Sequence, residues 1–309
     1  MRLASIDLGS NTIHLLVVDV AADGSWRMVE HDQQVTRLGE GLARAGRLGD
    51  APMARSGDVV LDFVRRAERA GASGVAIVAT SAVREAANGA DFAADLGRRT
   101  GHPVRVVSGD DEARLTLRGI LRGLPTAPRT LLTFDIGGGS TEYVLARDAS
   151  VVAAVSLRMG VVPLAERYPF PGRVDAETYQ QLERELRARL TAELPPAIRE
   201  ANADALVGTA GTVTTIAALD LGLVTYERDR VQGHRLSRAA IERLRDRLAA
   251  LDVAGRAALP CLEPGRADLI VPGVAIVMAT MDVLRVDAVV VSDWGLREGI
   301  MAEAADRQR

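Results

Sequence analysis

Two stretches of this chain repeat one pattern, and the repeat constrains the fold more than any other feature of the sequence. The first, LASIDLGSNTIHLLVVDV, spans Leu3–Val20, and the second, LLTFDIGGGSTEYVL, spans Leu131–Leu145. When Asp7 is aligned with Asp135, each copy contains an apolar strand, an aspartate, a turn rich in glycine and hydroxyl groups, and a second apolar strand. Internal similarity at so long a spacing indicates two homologous halves and not a solenoid of short repeats.

The turn of each copy has the composition of an anion-binding loop. Glycine allows positive φ values and leaves no Cβ to block a ligand, and successive N–H groups of such a turn converge on an anion. In the second copy Asp135 and Glu142 flank the turn, so that a divalent cation can lie beside the anion. Phosphate with magnesium is the simplest ligand for this pattern, and a flexible hairpin turn remains the alternative.

A third loop of similar composition follows a short predicted strand. The stretch ALVGTAGTVTT, at 205–215, places Gly208, Gly211 and Thr212 around the start of a predicted helix. Backbone donors at a helix N-terminus bind anions because the helix dipole favours negative charge there. Such turns also simply cap helices, so this loop alone leaves both interpretations open.

The order of predicted elements favours an α/β fold with two domains. Strands alternate with helices and a hairpin opens each half, which predicts mixed sheets covered by helices. A chain of 309 residues has room for two sizeable cores. The segment 123–129, GLPTAPR, is the best candidate for a linker because it holds two prolines and a glycine. The glycine-rich segment 37–50 is predicted as a loop, and Pro195 and Pro196 should kink or stop a helix over 175–200.

Composition narrows the chemistry and the compartment. Aromatic residues make up 3% of the chain, so the cores are expected to consist mainly of alanine, valine, leucine and isoleucine. The net charge of −3 gives no general attraction to polyanions, and there is no lysine, so phosphate recognition would depend on local arginines. The single Cys261 excludes an intramolecular disulfide and fits a reducing cytoplasm. The histidines show no metal-ligand spacing, and the apolar run PGVAIVMATMDVL is too short for a membrane span, which predicts a buried helix.

Together these motifs resemble a known family. IDLGSNT, DIGGGSTE and GTAGT, in this order, are similar to the two phosphate loops and the connecting motif of the actin, sugar kinase and heat-shock ATPase superfamily. Further stretches are similar to one branch, the exopolyphosphatase/guanosine pentaphosphate phosphohydrolase (Ppx/GppA phosphatase) family: RLGEGL, ATSAVREA, SGDDEARL, RMG, RADLIVPG and SDWGLREG. The resemblance spans nearly the whole chain.

The resemblance implies a particular domain organisation. It implies two actin-like (ribonuclease H-like) α/β domains, with mixed sheets flanked by helices and an interdomain cleft that clamps the phosphate chain. Domain I would comprise residues 1–126 and domain II residues 127–296, and the last helix, at about 297–309, would return to domain I. Longer members continue into a helical His-Asp domain, which we expect this chain to lack. We therefore expect distributive hydrolysis, with short polyphosphates cleaved at least as efficiently as long ones.

The resemblance also assigns the catalytic roles. Glu112 in SGDDEAR matches the carboxylate that activates water, and Arg84 after TSAV matches an arginine expected to contact the terminal phosphate. From spacing alone, Glu112 is one more acid favouring a helix N-terminus, next to a capping box of Ser108 and Asp111. From spacing alone, Arg84 is as readily a surface arginine on a helix.

Phosphate contacts and metal ligands are expected in the three loops. The predicted phosphate-binding residues are Gly9, Ser10, Asn11, Gly137, Gly138, Gly139, Ser140, Thr141, Gly208, Gly211 and Thr212. Asp135 and Glu142, with Asp7, are expected to hold Mg²⁺ mostly through water, and Mn²⁺ would also serve.

The resulting hypothesis is a magnesium-dependent exopolyphosphatase that releases orthophosphate from inorganic polyphosphate, with Glu112 as general base. Guanosine pentaphosphate 5′-phosphohydrolase is the close alternative, because both substrates end in a linear phosphate chain. An ATP-binding sensor module without significant turnover is the alternative from another class. We expect a cytoplasmic homodimer with no nucleic-acid or membrane partner.

Overall fold

The computed structural model describes residues 1–124 and 128–308. Within it the chain divides into two units, the first formed by Met1–Gly119 with the chain from Gly295 onward, and the second by Ile120–Trp294. The predicted boundary at 126/127 and the centre of the predicted linker fall on residues 125–127, which lie outside the described residues.

The chain opens with an antiparallel meander and continues with alternating helices and strands. In chain order these first elements are β1 (Arg2–Leu8), β2 (Thr12–Val20), β3 (Trp26–Val35), α1 (Leu42–Ala45), α2 (Asp50–Arg69), β4 (Gly74–Ala79), α3 (Ser81–Glu85), α4 (Gly89–Thr100), β5 (Val104–Val106) and α5 (Gly109–Gly123).

The remaining elements begin with a second antiparallel meander. They are β6 (Thr130–Ile136), β7 (Thr141–Arg147), β8 (Ser150–Leu157), α6 (Val161–Arg167), α7 (Ala176–Glu193), α8 (Pro196–Arg199), β9 (Ala205–Thr209), α9 (Ala210–Asp220), α10 (Arg228–Val231), β10 (Arg235–Ser237), α11 (Arg238–Ala249), α12 (Val253–Ala257), a 3₁₀ turn (Pro264–Arg266), α13 (Ile270–Leu284), β11 (Ala288–Val291) and α14 (Leu296–Arg307).

The two sheets share one topology, as the repeated hairpin predicts. The strand order is β3-β2-β1-β4-β5 in the first and β10-β11-β9-β6-β7-β8 in the second. In each sheet the first three strands are antiparallel and the next strand is parallel to the first, β4 to β1 and β9 to β6. The second sheet adds one short antiparallel edge strand, β10.

The last helix, α14, belongs to the first unit. It packs on β1, β2 and β4, and Met301 and Ala305 are buried against Leu3 and Leu16. The Ser5 hydroxyl donates a hydrogen bond of 3.0 Å to the Arg297 carbonyl at the start of the helix. This anchors the SDWGLREG segment to the strand that carries Asp7.

Each unit has its own core, built mainly from aliphatic side chains as composition predicted. In the first, Ile6, Leu15 and Phe63 are fully buried between the sheet and α2. In the second, α13 is buried continuously from Ile270 to Met281, which confirms the helix predicted for the apolar run. Among the described helices, none combines the length and apolar character that crossing a membrane requires.

The structure bears on two local predictions, one for the segment 37–50 and one for the prolines after α7. The segment 37–50, predicted as a loop, contains the single-turn helix α1, bracketed by Gly41 and Gly46 at φ values of 72° and 66°. Left-handed residues at both ends confine this helix to one turn. The prolines act as predicted, because α7 ends at Glu193 and Pro196 occupies the first position of α8, where its missing N–H costs nothing.

A fully buried arginine ties together three segments of the second unit. Arg256 donates hydrogen bonds of 2.7–2.9 Å to the carbonyls of Leu248, Leu251, Phe170 and Gly172. The guanidinium thereby satisfies four backbone acceptors from segments that sit far apart in the sequence. A buried cation is stable only with such a complete set of partners.

Candidate active site

The two hairpin turns close with the same backbone hydrogen bond. The Gly9 N–H donates to the Thr12 carbonyl (3.2 Å), and the Gly137 N–H donates to the Ser140 carbonyl (2.9 Å). These residues occupy aligned positions of the repeat. The N–H groups of Gly9 and Gly137 are therefore used within the turns, and donors for an anion must come from the other peptide groups.

In the second unit, the start of α6 forms hydrogen bonds with the carbonyl groups of the hairpin turn. Three consecutive turn carbonyls, those of Gly137, Gly138 and Gly139, accept hydrogen bonds of 2.8–3.2 Å from the N–H groups of Val161, Val162 and Gly160, respectively. In a trans peptide the N–H points opposite to the C=O. The N–H groups of Gly138, Gly139 and Ser140 therefore share the other side, and no backbone carbonyl in the described residues accepts from them. This is the geometry of an anion nest.

The first unit has a smaller version of the same arrangement. The Ser10 carbonyl accepts from the Gly39 N–H at 2.7 Å. The Asn11 carbonyl accepts from the N–H groups of Thr36 and Arg37 at 2.9 and 3.0 Å. The RLGEGL segment therefore holds this turn in the way that α6 holds the other.

The glycines of the two hairpin turns allow close contacts between backbone groups, and they do not adopt left-handed conformations. None of the glycines in the two hairpin turns has a positive φ. A Cβ on Gly9 would lie 2.8 Å from the Thr12 carbonyl oxygen, and one on Gly160 would collide with the Gly138 carbonyl. The third loop does contain a left-handed residue, Ala210, with φ 68°. Such a conformation costs an L-residue about 1–2 kcal/mol and is concentrated at functional turns.

The third loop is occupied by an arginine that the sequence did not single out. Gly211 lies in the first turn of α9, and a Cβ there would overlap the guanidinium of Arg266. Only glycine admits this contact. The Arg266 side chain is 13% exposed, and its Nε donates to Glu263 at 3.1 Å. Burial lowers the pKa of Arg266, while the Glu263 carboxylate opposes that shift.

Other predicted residues of these loops have packing roles in the described structure. Gly208 lies within β9, paired with Phe134 and Val291, and a Cβ there would lie 2.7 Å from the Phe134 ring. Thr212 packs its side chain against Gly273. The Thr141 hydroxyl donates to a buried backbone carbonyl at 2.6 Å.

Glu112 lies in a buried ion pair with Arg84. The Arg84 Nη1 donates to Glu112 Oε2 at 2.7 Å, and the side chains are 22% and 9% exposed. The same Nη1 donates to the Val107 carbonyl at 3.0 Å. Both residues belong to the first unit, so the structure brings together the two predicted catalytic side chains.

The capping interpretation does not account for Glu112. The Ser108 hydroxyl accepts from the Asp111 N–H at 3.1 Å and donates to the Asp111 carboxylate at 2.8 Å. These two residues cap α5 at the surface, and the Asp111 carboxylate accepts from the Ser108 hydroxyl, whereas in a capping box it would accept from the Ser108 N–H. Glu112 is buried and turned toward Arg84 instead.

Ser10 and Asn11 are buried beside the same region of the first unit. The Ser10 hydroxyl accepts from the Ala82 N–H at 3.1 Å, in the first turn of α3, the helix that carries Arg84. Asn11 is 7% exposed, and its Oδ1 has no partner among the described residues. A buried acceptor without a donor calls for an unobserved partner.

Asp135 and Glu142 face each other across β6 and β7. They are direct partners in the antiparallel register, so their side chains lie on the same face of the sheet. Glu142 is 2% exposed and accepts from the Ser156 hydroxyl at 2.6 Å. Two carboxylates at opposed positions repel each other, and a cation bound between them relieves the repulsion. The pair therefore fits a cation.

Magnesium suits this donor set. In residues 1–124 and 128–308 there is no group of three or more candidate ligand side chains. Mg²⁺ does not require one, because it commonly takes one or two carboxylates and completes its octahedron with water and substrate phosphates. At the aligned positions of the first unit, Asp7 is paired with His14, so the opposed carboxylates are particular to the second hairpin.

Asp7 is a half-buried carboxylate with one fully buried oxygen. Its Oδ1 has no hydrogen-bond partner within the part of the chain that the structure describes. Burial raises the pKa of Asp7 to about 7, which Arg297 opposes and Glu298 reinforces. Arg297 itself donates to Glu298 at 2.7 Å. The unpartnered oxygen fits a water or a cation bound through water.

Residues 16–308 match the sequence profile of the Ppx/GppA phosphatase family. The chain belongs to this family. Exopolyphosphatase 2 of Mycobacterium tuberculosis is 33% identical over 98% of this chain and 98% of that protein. Exopolyphosphatase 1 of Mycobacterium bovis is 29% identical over 100% of this chain and 89% of that protein.

Solved structures of Ppx/GppA relatives have the same fold. An exopolyphosphatase from Cytophaga hutchinsonii superposes with a TM-score of 0.92 at 25% identity, covering 99% of this chain and 98% of that one. The Ppx/GppA family member of Aquifex aeolicus gives a TM-score of 0.84 at 28% identity, covering 100% and 99%. The two-domain, actin-like α/β fold that the family resemblance implied is confirmed.

Two of the family-like stretches in the sequence contain chemistry-bearing side chains that were not predicted as site residues. Arg266 stands at the start of RADLIVPG, and Arg297 and Glu298 stand in SDWGLREG. Ser156, which supports Glu142, carried no motif signal. Arg266 lies just before a helix that packs through a glycine, and an arginine at such a position is the pattern that could have identified it.

Proposed function

We propose that this chain is a magnesium-dependent exopolyphosphatase that hydrolyses the terminal phosphoanhydride of inorganic polyphosphate. The observation that carries the proposal is Glu112, a buried carboxylate held by Arg84 at 2.7 Å in the stretch that resembles the family's catalytic segment. Full-length similarity to exopolyphosphatases supports a phosphoanhydride hydrolase.

In the proposed reaction, Glu112 accepts a proton from water as the water oxygen attacks the terminal phosphorus. The bridging P–O bond breaks, and the electron pair leaves with the shortened chain, so the products are orthophosphate and a polyphosphate one unit shorter. Arg84 fixes the orientation of Glu112, and a carboxylate so held loses little reorganisation energy during proton transfer. This is a positioning role, and the donors of Arg84 other than Nη1 can still contact phosphate.

Charge on the substrate would be met by fixed donors. The N–H groups of Gly138, Gly139 and Ser140 share one side of their turn, and preorganised donors stabilise phosphoryl oxygens at low cost. Arg266 adds a buried positive charge at the first turn of α9. In the second unit, Asp135 and Glu142 would hold Mg²⁺, which neutralises phosphate charge during phosphoryl transfer.

Guanosine pentaphosphate 5′-phosphohydrolase is the second candidate, because the same chemistry acts on any linear phosphate terminus. An ATP-binding sensor predicts nucleotide binding without a catalytic carboxylate, and the buried Glu112–Arg84 pair favours hydrolysis over it. Phosphate release from short polyphosphate, long polyphosphate, guanosine pentaphosphate and ATP, measured in parallel with Mg²⁺, tests the proposal. Release from polyphosphate supports it, and release from none of the four substrates would contradict it.

A further inference from the structure

The loop between α9 and α10 exposes an aromatic ring that the proposed reaction does not use. Tyr226 is 42% exposed, and Val224 in the same loop is 81% exposed. Among the described large hydrophobic residues that are exposed, Tyr226 is the aromatic one, in a chain with 3% aromatic residues. An exposed ring in so aromatic-poor a protein needs an explanation.

The hydroxyl end of Tyr226 is anchored, although the residue is exposed. The hydroxyl donates to Asp293 Oδ1 and also interacts with the Thr214 side chain. The other oxygen of Asp293 pairs with Arg228 Nε at 2.5 Å, and the Arg228 guanidinium lies over the Trp294 ring, with its Cζ 5.2 Å from the centroid. The tyrosine is therefore held by a connected network of polar and charged side chains, which forms a polar support for the ring.

This support places the ring beside the candidate phosphate loop of the same unit. Thr214 lies in α9, the helix whose first turn holds Gly211 under the Arg266 guanidinium. Arg266 and Tyr226 are also close enough to interact electrostatically. The helix N-terminus, the buried arginine and the exposed ring thus form one neighbourhood within the second unit.

The chemistry of the ring does not suit a phosphate chain. The hydroxyl already donates to a carboxylate, and the Asp293 charge disfavours anions at that end. A ring face with an exposed valine nearby favours a flat group of low charge. Aromatic rings accept nucleobases on their faces without needing hydrogen-bond readout.

We propose that Tyr226 is the base platform for a nucleoside 5′-polyphosphate, with the purine stacked on the ring and the phosphates directed toward the first turn of α9. This deepens the proposed function and rests on it, because it names the nucleotide class that the same phosphate-binding loops accept. The anchored hydroxyl makes the platform preorganised, since only two side-chain torsions position the ring and both are set before the ligand arrives.

The test compares a nucleotide with its phosphate chain alone. Binding of GTP and of inorganic tripolyphosphate is measured by calorimetry with Mg²⁺, in a Glu112→Gln background so that neither ligand is consumed. In Tyr226→Leu the preference for GTP over tripolyphosphate should fall about tenfold, the scale of one base–aromatic stack. Tyr226→Phe keeps the ring and should retain most of the preference, losing about twofold to threefold from the freed ring.

Tyr168→Leu provides the matched control. Tyr168 also donates its hydroxyl to a carboxylate, Glu185 at 2.6 Å, but it follows α6 and belongs to another loop of the second unit. Its substitution should leave the GTP preference as it is in the parent protein. The proposal would be overturned if the GTP preference is the same in Tyr226→Leu as in the parent protein, or if the parent protein has no such preference. A surface that serves only to bind a protein partner would give either of these results.

Two further measurements separate this proposal from the proposed function. Circular dichroism tests whether Tyr226→Leu is folded. If it is not folded, the GTP preferences of Tyr226→Met and Tyr226→Phe are compared instead, because only the second keeps an aromatic ring. Phosphate release from polyphosphate by the unsubstituted protein is measured independently. If the parent protein shows no GTP preference but the unsubstituted protein releases phosphate, only the base platform is overturned, whereas absence of phosphate release overturns the hydrolase.

Discussion

Arg84 Nη1 lies 2.7 Å from Glu112 Oε2, and the same nitrogen donates to the Val107 carbonyl at 3.0 Å. This double contact fixes the arginine to the loop before α5 and the carboxylate to the arginine. Removing one partner from a buried ion pair leaves the other charge uncompensated. Glu112 is thus held in one orientation by a neighbour from another element of the same unit.

Arg84→Met should lower kcat by about ten- to hundredfold with a smaller change in KM, because it removes the support of Glu112 and leaves most ground-state contacts in place. Added to Glu112→Gln, the same substitution should cost much less, since residues acting as a unit are not additive. Arg65→Met, on the exposed face of α2, is the control. A raised KM with unchanged kcat would show instead that Arg84 serves mainly as a phosphate ligand.

Asp135→Asn should raise the Mg²⁺ concentration needed for half-maximal activity while leaving the metal-free protein as stable as before or more so. The reason is that one of two opposed carboxylates loses its charge. Thermal unfolding with and without Mg²⁺ should show a smaller metal-induced rise in Tm than in the unsubstituted protein. Asp148→Asn, at the exposed turn after β7, is the matched control. Identical magnesium titrations would contradict the metal role.

Asp7 should make the stability of the protein fall between about pH 4 and pH 7. Burial raises its pKa in the folded state from 3.8 to about 7, so the folded protein holds a proton there that the unfolded chain releases. Its contribution is fully present below the unfolded pKa and is lost as pH rises through the folded value. Each pKa unit corresponds to about 1.4 kcal/mol, so a loss of a few kcal/mol is expected.

Urea unfolding of Asp7→Asn and of the unsubstituted protein, in chelator from pH 4 to pH 8, measures this effect. The free energy of unfolding of Asp7→Asn should gain on that of the unsubstituted protein as pH rises and level off above about pH 7. Added Mg²⁺ should reduce the difference if Asp7 faces the ion. A difference that does not vary with pH would show that Asp7 is ionised throughout this range.

Arg256→Leu should destabilise the second unit by at least about 3 kcal/mol, because four backbone carbonyls lose a buried donor and each such loss costs about 1–3 kcal/mol. Chemical denaturation with a probe in the second unit measures it. Arg247→Leu, exposed on α11, should change stability by less than about 0.5 kcal/mol. Equal stabilities of the two variants would contradict the role assigned to Arg256.

The repeat in the sequence predicted the fold because local patterns encode it. Apolar strands around Asp7 and Asp135, joined by short glycine-rich turns, specify two hairpins. Hairpin register follows from the turn, which places Glu142 opposite Asp135. The continuous apolar run likewise predicted the buried helix α13. These features depend on neighbours in sequence, which is why they could be read directly.

The side-chain pairs of the site depend on tertiary placement and could not be predicted. Arg84 and Glu112 sit on different helices, and no local rule makes them partners. Gly211 is adjacent to Arg266 only because α9 and the turn before α13 pack together. Glycine was expected to allow positive φ in the loops, but in the third loop the left-handed position is Ala210, where the surrounding structure and not the residue's own preference decides φ.

The central claim is that Glu112 is the general base of a polyphosphate hydrolase, and one time course tests it most directly. Phosphate release from polyphosphate with Mg²⁺ is followed for the unsubstituted protein, for Glu112→Gln and for the exposed control Asp110→Asn, with folding checked by circular dichroism. The account predicts that Glu112→Gln lowers turnover by about two to four orders of magnitude and that Asp110→Asn stays within about twofold. Near-normal turnover in a folded Glu112→Gln protein would contradict it.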